Sequence, residues 1–194
     1  HGNGPANVYI GRNRLHEDEE NAIDIKETLG PVVISENEMY GYEPGTFSGN
    51  GDALRLNDEG DQGEIWILNN RVHDSRICIN PSGSTAASYI LGNRIWNCQN
   101  VGISDAGDAT IVANNTVVNA PRGIVGGTEV RGNIVSEAGT CHLCSDVSGC
   151  SNNLVWQTGG TPVVQISCAN NVRAEPLMLM SGSEQTGLQA CSPA

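Results

Sequence analysis

Large rings are scarce in this chain: one Phe, three Trp and four Tyr among 194 residues. With 38% hydrophobic residues, such a sequence is poorly supplied to fill a wide core and better matched to a thin apolar column. Cations are scarce too, ten Lys and Arg standing against 22 Asp and Glu, for a formal charge of −12 and a pI of about 4.5. That balance argues against nucleic acid and anionic membranes as partners. It also disfavours polyanionic sugars unless a bound cation or a local basic patch inverts the sign. No apolar run reaches the roughly 18 residues of a membrane span, and none of residues 1–194 is expected to be a signal peptide. The chain enters a strand soon after His1 and stops at Ser192-Pro193-Ala194. Solenoid ends need caps, so residues 1–194 are expected to be one domain, processed or excised from a longer chain, with 175–194 as its end. A free N-terminal His1 would hold copper only with a second His close by, and the sequence points to none.

What is abundant is a repeat. Short apolar strands end on an Asn: VYIGRN (Asn13), VVISEN (Asn37), IWILNN (Asn70), SYILGN (Asn93), TIVANN (Asn115), TEVRGN (Asn133), GCSNN (Asn153) and SCANN (Asn171). The spacings are 24, 33, 23, 22, 18, 20 and 18 residues, a period that signals a solenoid. Ile10, Ile34, Ile67, Ile90, Val112 and Val130 stand three residues before the Asn. Leu15, Met39, Val72, Ile95, Val117, Val135 and Val155 stand two after it. These runs alternate with period two and are too short for helices. The pattern predicts a parallel β-helix of about eight coils, all-β. Asn is expected to take the left-handed bend itself and to stack its amide on the next coil.

Seven Cys point to an oxidising compartment and an extracellular or cell-surface protein. Cys150 and Cys168 both lie three residues before a ladder Asn. Neighbouring strands are about 4.8 Å apart, within disulfide reach, so this pair is either bonded or a reduced core stack. Cys141 and Cys144, with His142 between them, make a weak zinc motif lacking a second pair. An added disulfide, to Cys191, is the stronger expectation. An odd count leaves one thiol free or bonded outside the chain.

Aligned on the Asn, the coils form outward columns. One position on lie Arg14, Glu38, Arg71 and Arg94; three on lie His16, Tyr40, His73 and Trp96, continued by Trp156. Rings beside guanidinium groups suit a polysaccharide or cell-surface glycan. The same columns also read as ordinary stacking with a surface ion-pair ladder of little energetic worth. On the next strand, matching AIDIK, ALRLN and ICIN puts Asp24, Arg55 and Cys78 in one outward column and Lys26, Asn57 and Asn80 in the next. Asp18, Glu19 and Glu20 sit in the turn before. These parts suit β-elimination of a uronate: Arg55 to neutralise the carboxylate and Lys26 as base, with His73 nearby. Glu19, Glu20 and Asp24 are the candidate Ca²⁺ ligands. The bland alternative is Asp24 as a structural ion-pair partner of Lys26 and Arg55.

The Asn-ended coils, the GI and AI strands and the ending EPLMLM…LQACSPA resemble secreted right-handed parallel β-helix proteins of the pectate-lyase-like superfamily. That resemblance implies the fold and leaves function open among lyases, glycoside hydrolases, adhesins and tailspikes. ENAIDIKE followed one coil later by ALRL is similar to the alginate and dermatan lyases of polysaccharide lyase family six. It implies Lys26 as base, Arg55 as its partner and Glu19 or Glu20 as calcium ligands. Asp24 stands where that family has Ser, and Leu56 and Asn57 where it has His-Gly. The leading expectation is a lyase on a uronic-acid polymer. The rival is a non-catalytic surface or filament module that self-associates through open solenoid ends.

Overall fold

The computed structural model describes residues 7–26, 28–44, 51–57, 63–81, 87–106, 109–144, 147–176, 178–181 and 184–188. His1 and Cys191 lie outside these residues, as does much of the two Gly-rich insertions of coil two. The chain winds as expected into an all-β parallel solenoid. Coil one holds β1 (Val8–Gly11), β2 (Arg14–Asp18) and β3 (Ile23–Ile25); coil two holds β4 (Val32–Ser35), β5 (Glu38–Tyr42) and β6 (Asp52–Leu56). Coil three holds β7 (Ile65–Leu68), β8 (Arg71–His73) and β9 (Ile77–Asn80); coil four holds β10 (Ser88–Leu91), β11 (Arg94–Trp96) and β12 (Val101–Ala106). Next come β13 (Thr110–Ala113) and two long strands that turn corners without a break, β14 (Thr116–Arg131) and β15 (Ile134–Leu143). The solenoid closes with β16 (Val147–Ser151), β17 (Leu154–Trp156) and β18 (Val172–Arg173). An antiparallel hairpin, β19 (Met178–Ser181) and β20 (Glu184–Leu188), follows. Among the described residues no helix is long and apolar enough to cross a membrane.

Pairing register repeats the Asn spacing. On the first face Val8 pairs with Val32, Val32 with Ile65, Ile65 with Ser88 and Ser88 with Thr110, all in parallel. Val112 then pairs with Val130, Val130 with Cys150, and Ser151 with Ala169. Insertions between strands therefore change loop length and leave stacking untouched.

The ladder is a closed hydrogen-bond system. Asn13, Asn37, Asn70, Asn93, Asn115, Asn133 and Asn153 each donate Nδ2–H to Oδ1 of the next ladder Asn, at 3.0–3.3 Å. Each Oδ1 also accepts the backbone N–H of the preceding ladder Asn. From Asn37 to Asn153 the second Nδ2–H goes to a backbone carbonyl one coil back, such as Ile67 for Asn93. Asn37 through Asn153 are fully buried at no cost in unmet polar groups.

The bend, however, is not made by the ladder Asn. The residue before it takes the left-handed conformation: Arg12, Glu36, Asn69, Asn114, Asn152 and Asn170 at φ 54–60°, Gly92 and Gly132 at 69° and 64°. A second left-handed column lies four residues after the ladder at Glu17, Gly41, Asp74, Asn97, Asn119 and Glu137. The corner residue bends and the ladder Asn bonds, which explains the doubled Asn of ILNN, VANN, CSNN and CANN. Between corners the inward columns close: Ile34, Ile67, Ile90, Val112 and Val130 are buried, as are Met39, Val72, Ile95, Val117, Val135 and Val155.

Disulfides cross-link the winding. Cys150 and Cys168 are bonded between neighbouring coils, Cα atoms 4.6 Å apart. Cys141 bonds Cys144 rather than reaching toward Cys191, and Cys78 bonds Cys98. Three disulfides fit an oxidising compartment.

Candidate functional site

Asp24 and Arg55 are direct partners in the register of β3 and β6, as the sequence predicts. Arg55 in turn pairs with Asn80, two residues beyond the expected Cys78. The reason is that Asp52, not Leu54, opposes Ile77. Cys78 is buried in its disulfide and takes no part in the outward column. Asn80 moves into that column and accepts a 2.9 Å bond from the Ser104 hydroxyl on the next coil.

A residue that the sequence reading passed over organises this region. Asp52 is completely buried. Its Oδ1 accepts from Arg76 Nη2 at 2.6 Å. Its Oδ2 accepts from Asn80 Nδ2 at 2.7 Å and, more loosely, from Arg55 Nη1 at 3.4 Å. Its backbone N–H donates to Asn21 Oδ1 at 3.1 Å. Arg55 Nε also donates to Asn57 Oδ1 at 2.7 Å, and Asn57 Nδ2 donates to Asp24 Oδ1 at 2.8 Å. Both guanidinium side chains keep 25% of their surface exposed above the buried carboxylate. Lys26 is exposed two residues beyond Asp24. Three cations, Arg55, Arg76 and Lys26, thus stand with Asp24 and the buried Asp52, and Asp18, Glu19 and Glu20 flank them at the end of β2 and in the turn after it.

The pattern Gly-Asp-Ala-Leu-Arg-Leu concealed Asp52, because alternation assigns it an inward, apolar place. Its column confirms the anomaly: the partners one and two coils on are Ile77 and Val101.

Glu19 and Glu20 are exposed in the turn between β2 and β3. Asp18 Oδ1 is taken by the Glu19 backbone N–H at 2.7 Å, and Asp24 by Asn57. Among the described residues no three of His, Cys, Asp and Glu form a group that could hold a metal ion.

On the second face the arginine column pairs in register, Arg14 with Glu38, Glu38 with Arg71, Arg71 with Arg94. Glu38 sits between Arg14 at 3.0 Å and Arg71 at 3.3 Å. An open groove of about 370 Å³ runs along this corner, lined by Arg12, Arg14, Glu36, Glu38, Asn69 and Arg71.

The rings stack, but not as a sugar platform. His16, Tyr40, His73 and Trp96 lie face to face, with centroids 5.0, 4.9 and 4.1 Å apart and planes within 12°. Each inner face is used by a neighbouring ring, so a pyranose finds a free face only at the end of the stack. Exposure also falls along it, from an exposed His16 to a Trp96 at 4%. Val118 and Ser136 separate Trp96 from Trp156 in the column. His73 Nδ1 lies 2.6 Å from Asp74 Oδ2, while Nε2 is 3.8 Å from Glu38 Oε1 and has no hydrogen-bond partner. Asn97 Nδ2 donates to the other Asp74 oxygen at 3.0 Å, holding the carboxylate on the ring.

His142 serves the fold. It is fully buried, its Nε2 2.6 Å from the Trp156 carbonyl and its Nδ1 accepting the Val163 N–H at 3.2 Å. Burial lowers its pKa from the usual 6.5, against smaller opposing effects of the Trp156 carbonyl and Glu137.

Comparison with protein-family models, curated proteins and solved structures gives no match to this chain.

Proposed function

We propose that this is an extracellular, polysaccharide-active β-helix protein of the pectate-lyase-like kind that cleaves a uronic-acid polymer by β-elimination across coils one to three. The observation that carries the reading is Asp52, a buried carboxylate in a column that elsewhere holds Ile77 and Val101. Burying a carboxylate costs several kcal/mol, and an aliphatic residue in its place is often as stable or more so. What Asp52 adds is orientation: it fixes Arg55 and Arg76 side by side with their outer surfaces exposed.

Two guanidinium groups so placed bind a carboxylate in bidentate fashion. They stabilise the charge that develops on a uronate when its C5 proton leaves. Lys26 Nζ, as the neutral amine, takes that proton. The electron pair forms the C4–C5 double bond, the C4–O bond breaks, and the Lys26 ammonium returns the proton to the departing oxygen. The arginine groove at the ladder corner extends the contact with the acidic chain.

The test is incubation with polygalacturonate, alginate and dermatan sulfate, with and without Ca²⁺, following absorbance of the unsaturated product. Lys26→Ala is expected to lose the signal and Arg173→Ala, exposed on β18 away from coils one to three, to keep it. The face-to-face ring stack favours a second reading, a non-catalytic module whose stacked coils are the function. No product from any polymer, together with concentration-dependent assembly, would establish that reading instead.

A further inference from the structure

Trp96 occupies an outward position, in register with His73, Tyr40 and His16. It is nevertheless 4% exposed, and the column stays covered at Val118 and Ser136. Strand β20 of the C-terminal hairpin lies against β11, the strand that carries Trp96. Two neighbouring ring nitrogens, Trp96 Nε1 and His73 Nε2, are buried with no hydrogen-bond partner. The large majority of buried side-chain polar atoms in folded proteins have a hydrogen-bond partner, so two orphans on adjacent stacked rings mark a place fitted to something else.

Their chemistry says what. Indole Nε1–H only donates. With its Nδ1–H donated to the Asp74 carboxylate, neutral His73 presents Nε2 as an acceptor. A donor and an acceptor on rings 4.1 Å apart match two neighbouring sugar hydroxyls, one accepting and one donating. We infer that the His73–Trp96 pair is a hydroxyl-binding subsite for a sugar ring, which hairpin β19–β20 covers and a bound glycan displaces. The inference rests on the acidic-glycan reading for its ligand class.

The experiment uses the whole chain and two probes, a galacturonic acid hexamer and its carboxyl-reduced neutral counterpart. Binding is measured by calorimetry, and hydrogen–deuterium exchange is followed over residues 178–188. Expected are faster exchange of the hairpin on saturation and about fivefold to tenfold weaker binding by Trp96→Phe, which keeps the ring and removes the donor. Exchange depends on no variant, so a poorly folded Trp96→Phe would not obscure the result. Binding of the acidic hexamer with unchanged or slowed hairpin exchange overturns the subsite and leaves the acidic-glycan reading standing. Equal binding of both probes with an accelerated hairpin keeps the subsite and removes the acidic preference. Binding of neither overturns both.

Discussion

Arg76 Nη2 donates a 2.6 Å bond to Asp52 Oδ1 across a coil boundary, in a place where the fold elsewhere puts Ile77 and Val101. Removing one member of such a pair strands a charge. Asp52→Ala is expected to cost about 3–5 kcal/mol in urea unfolding. Replacing both, Asp52→Ile with Arg76→Met, is expected to restore most of that loss, because the column accepts aliphatic residues. The double variant should remain inactive on every polymer. If it is as unstable as Asp52→Ala, the pair belongs to the scaffold and the functional argument from Asp52 falls.

The winding was legible because period-two alternation and a recurring Asn are local signals that survive loops of unequal length. Asn-to-Asn spacing gave the register of the first and second faces, including Arg14 beside Glu38 and Tyr40 beside His73. On the third face no Asn marks the start of each strand. Matching hydrophobic pairs put Cys78 beside Arg55, two residues from the true partner Asn80. Alternation states which way a side chain points and not what lies over it, so the covering of Trp96 was invisible. It also hid Asp52, since a carboxylate at an inward position looks like a misplaced loop residue. Ring stacking at the strand spacing was implied by the register, yet its consequence, that ring faces are consumed, emerges only from the plane angles.

The ladder makes a graded prediction. Asn93→Ala removes the acceptor for Asn70 Nδ2–H and the Asn70 backbone N–H, and takes a donor from the Ile67 carbonyl. Buried groups left unmet cost about 1–3 kcal/mol each. Asn93→Ala is therefore expected to lower stability by about 3 kcal/mol or more. Asn13→Ala, at an exposed position, is expected to cost about 1 kcal/mol. Denaturant midpoints of the two variants measure the difference; equal losses would show that the amides do not act as a buried chain.

His142 sets an acid limit. Its folded pKa lies below the unfolded value of 6.5, mainly because burial disfavours the imidazolium. The unfolded chain thus binds a proton more readily. The stability tied to neutral His142 is complete above pH 6.5 and is lost as pH falls through the folded pKa. Urea midpoints measured downward from pH 7.5 are expected to decline once below pH 6.5. In His142→Gln, less stable at neutral pH, that part of the decline should disappear. The first segment to open should be the loop held by His142 through the Val163 N–H and carbonyl, visible as faster exchange over residues 157–166.

Lys26 is the only lysine in the chain, which permits a direct separation of charge from proton transfer. Lys26→Arg keeps the cation but supplies no group that can be deprotonated at working pH. A general base contributes typically 10²–10⁴-fold to rate, so elimination is expected to fall by about that factor while polymer binding changes little. Acetylation of the wild-type protein removes both charge and base at this one side chain and should abolish product formation. Reductive methylation keeps a titratable amine and should spare part of the activity. If Lys26→Arg eliminates as fast as wild type, the side chain serves only to attract the acidic polymer. The proton must then go to another group, and His73, already oriented by Asp74, becomes the residue to vary next.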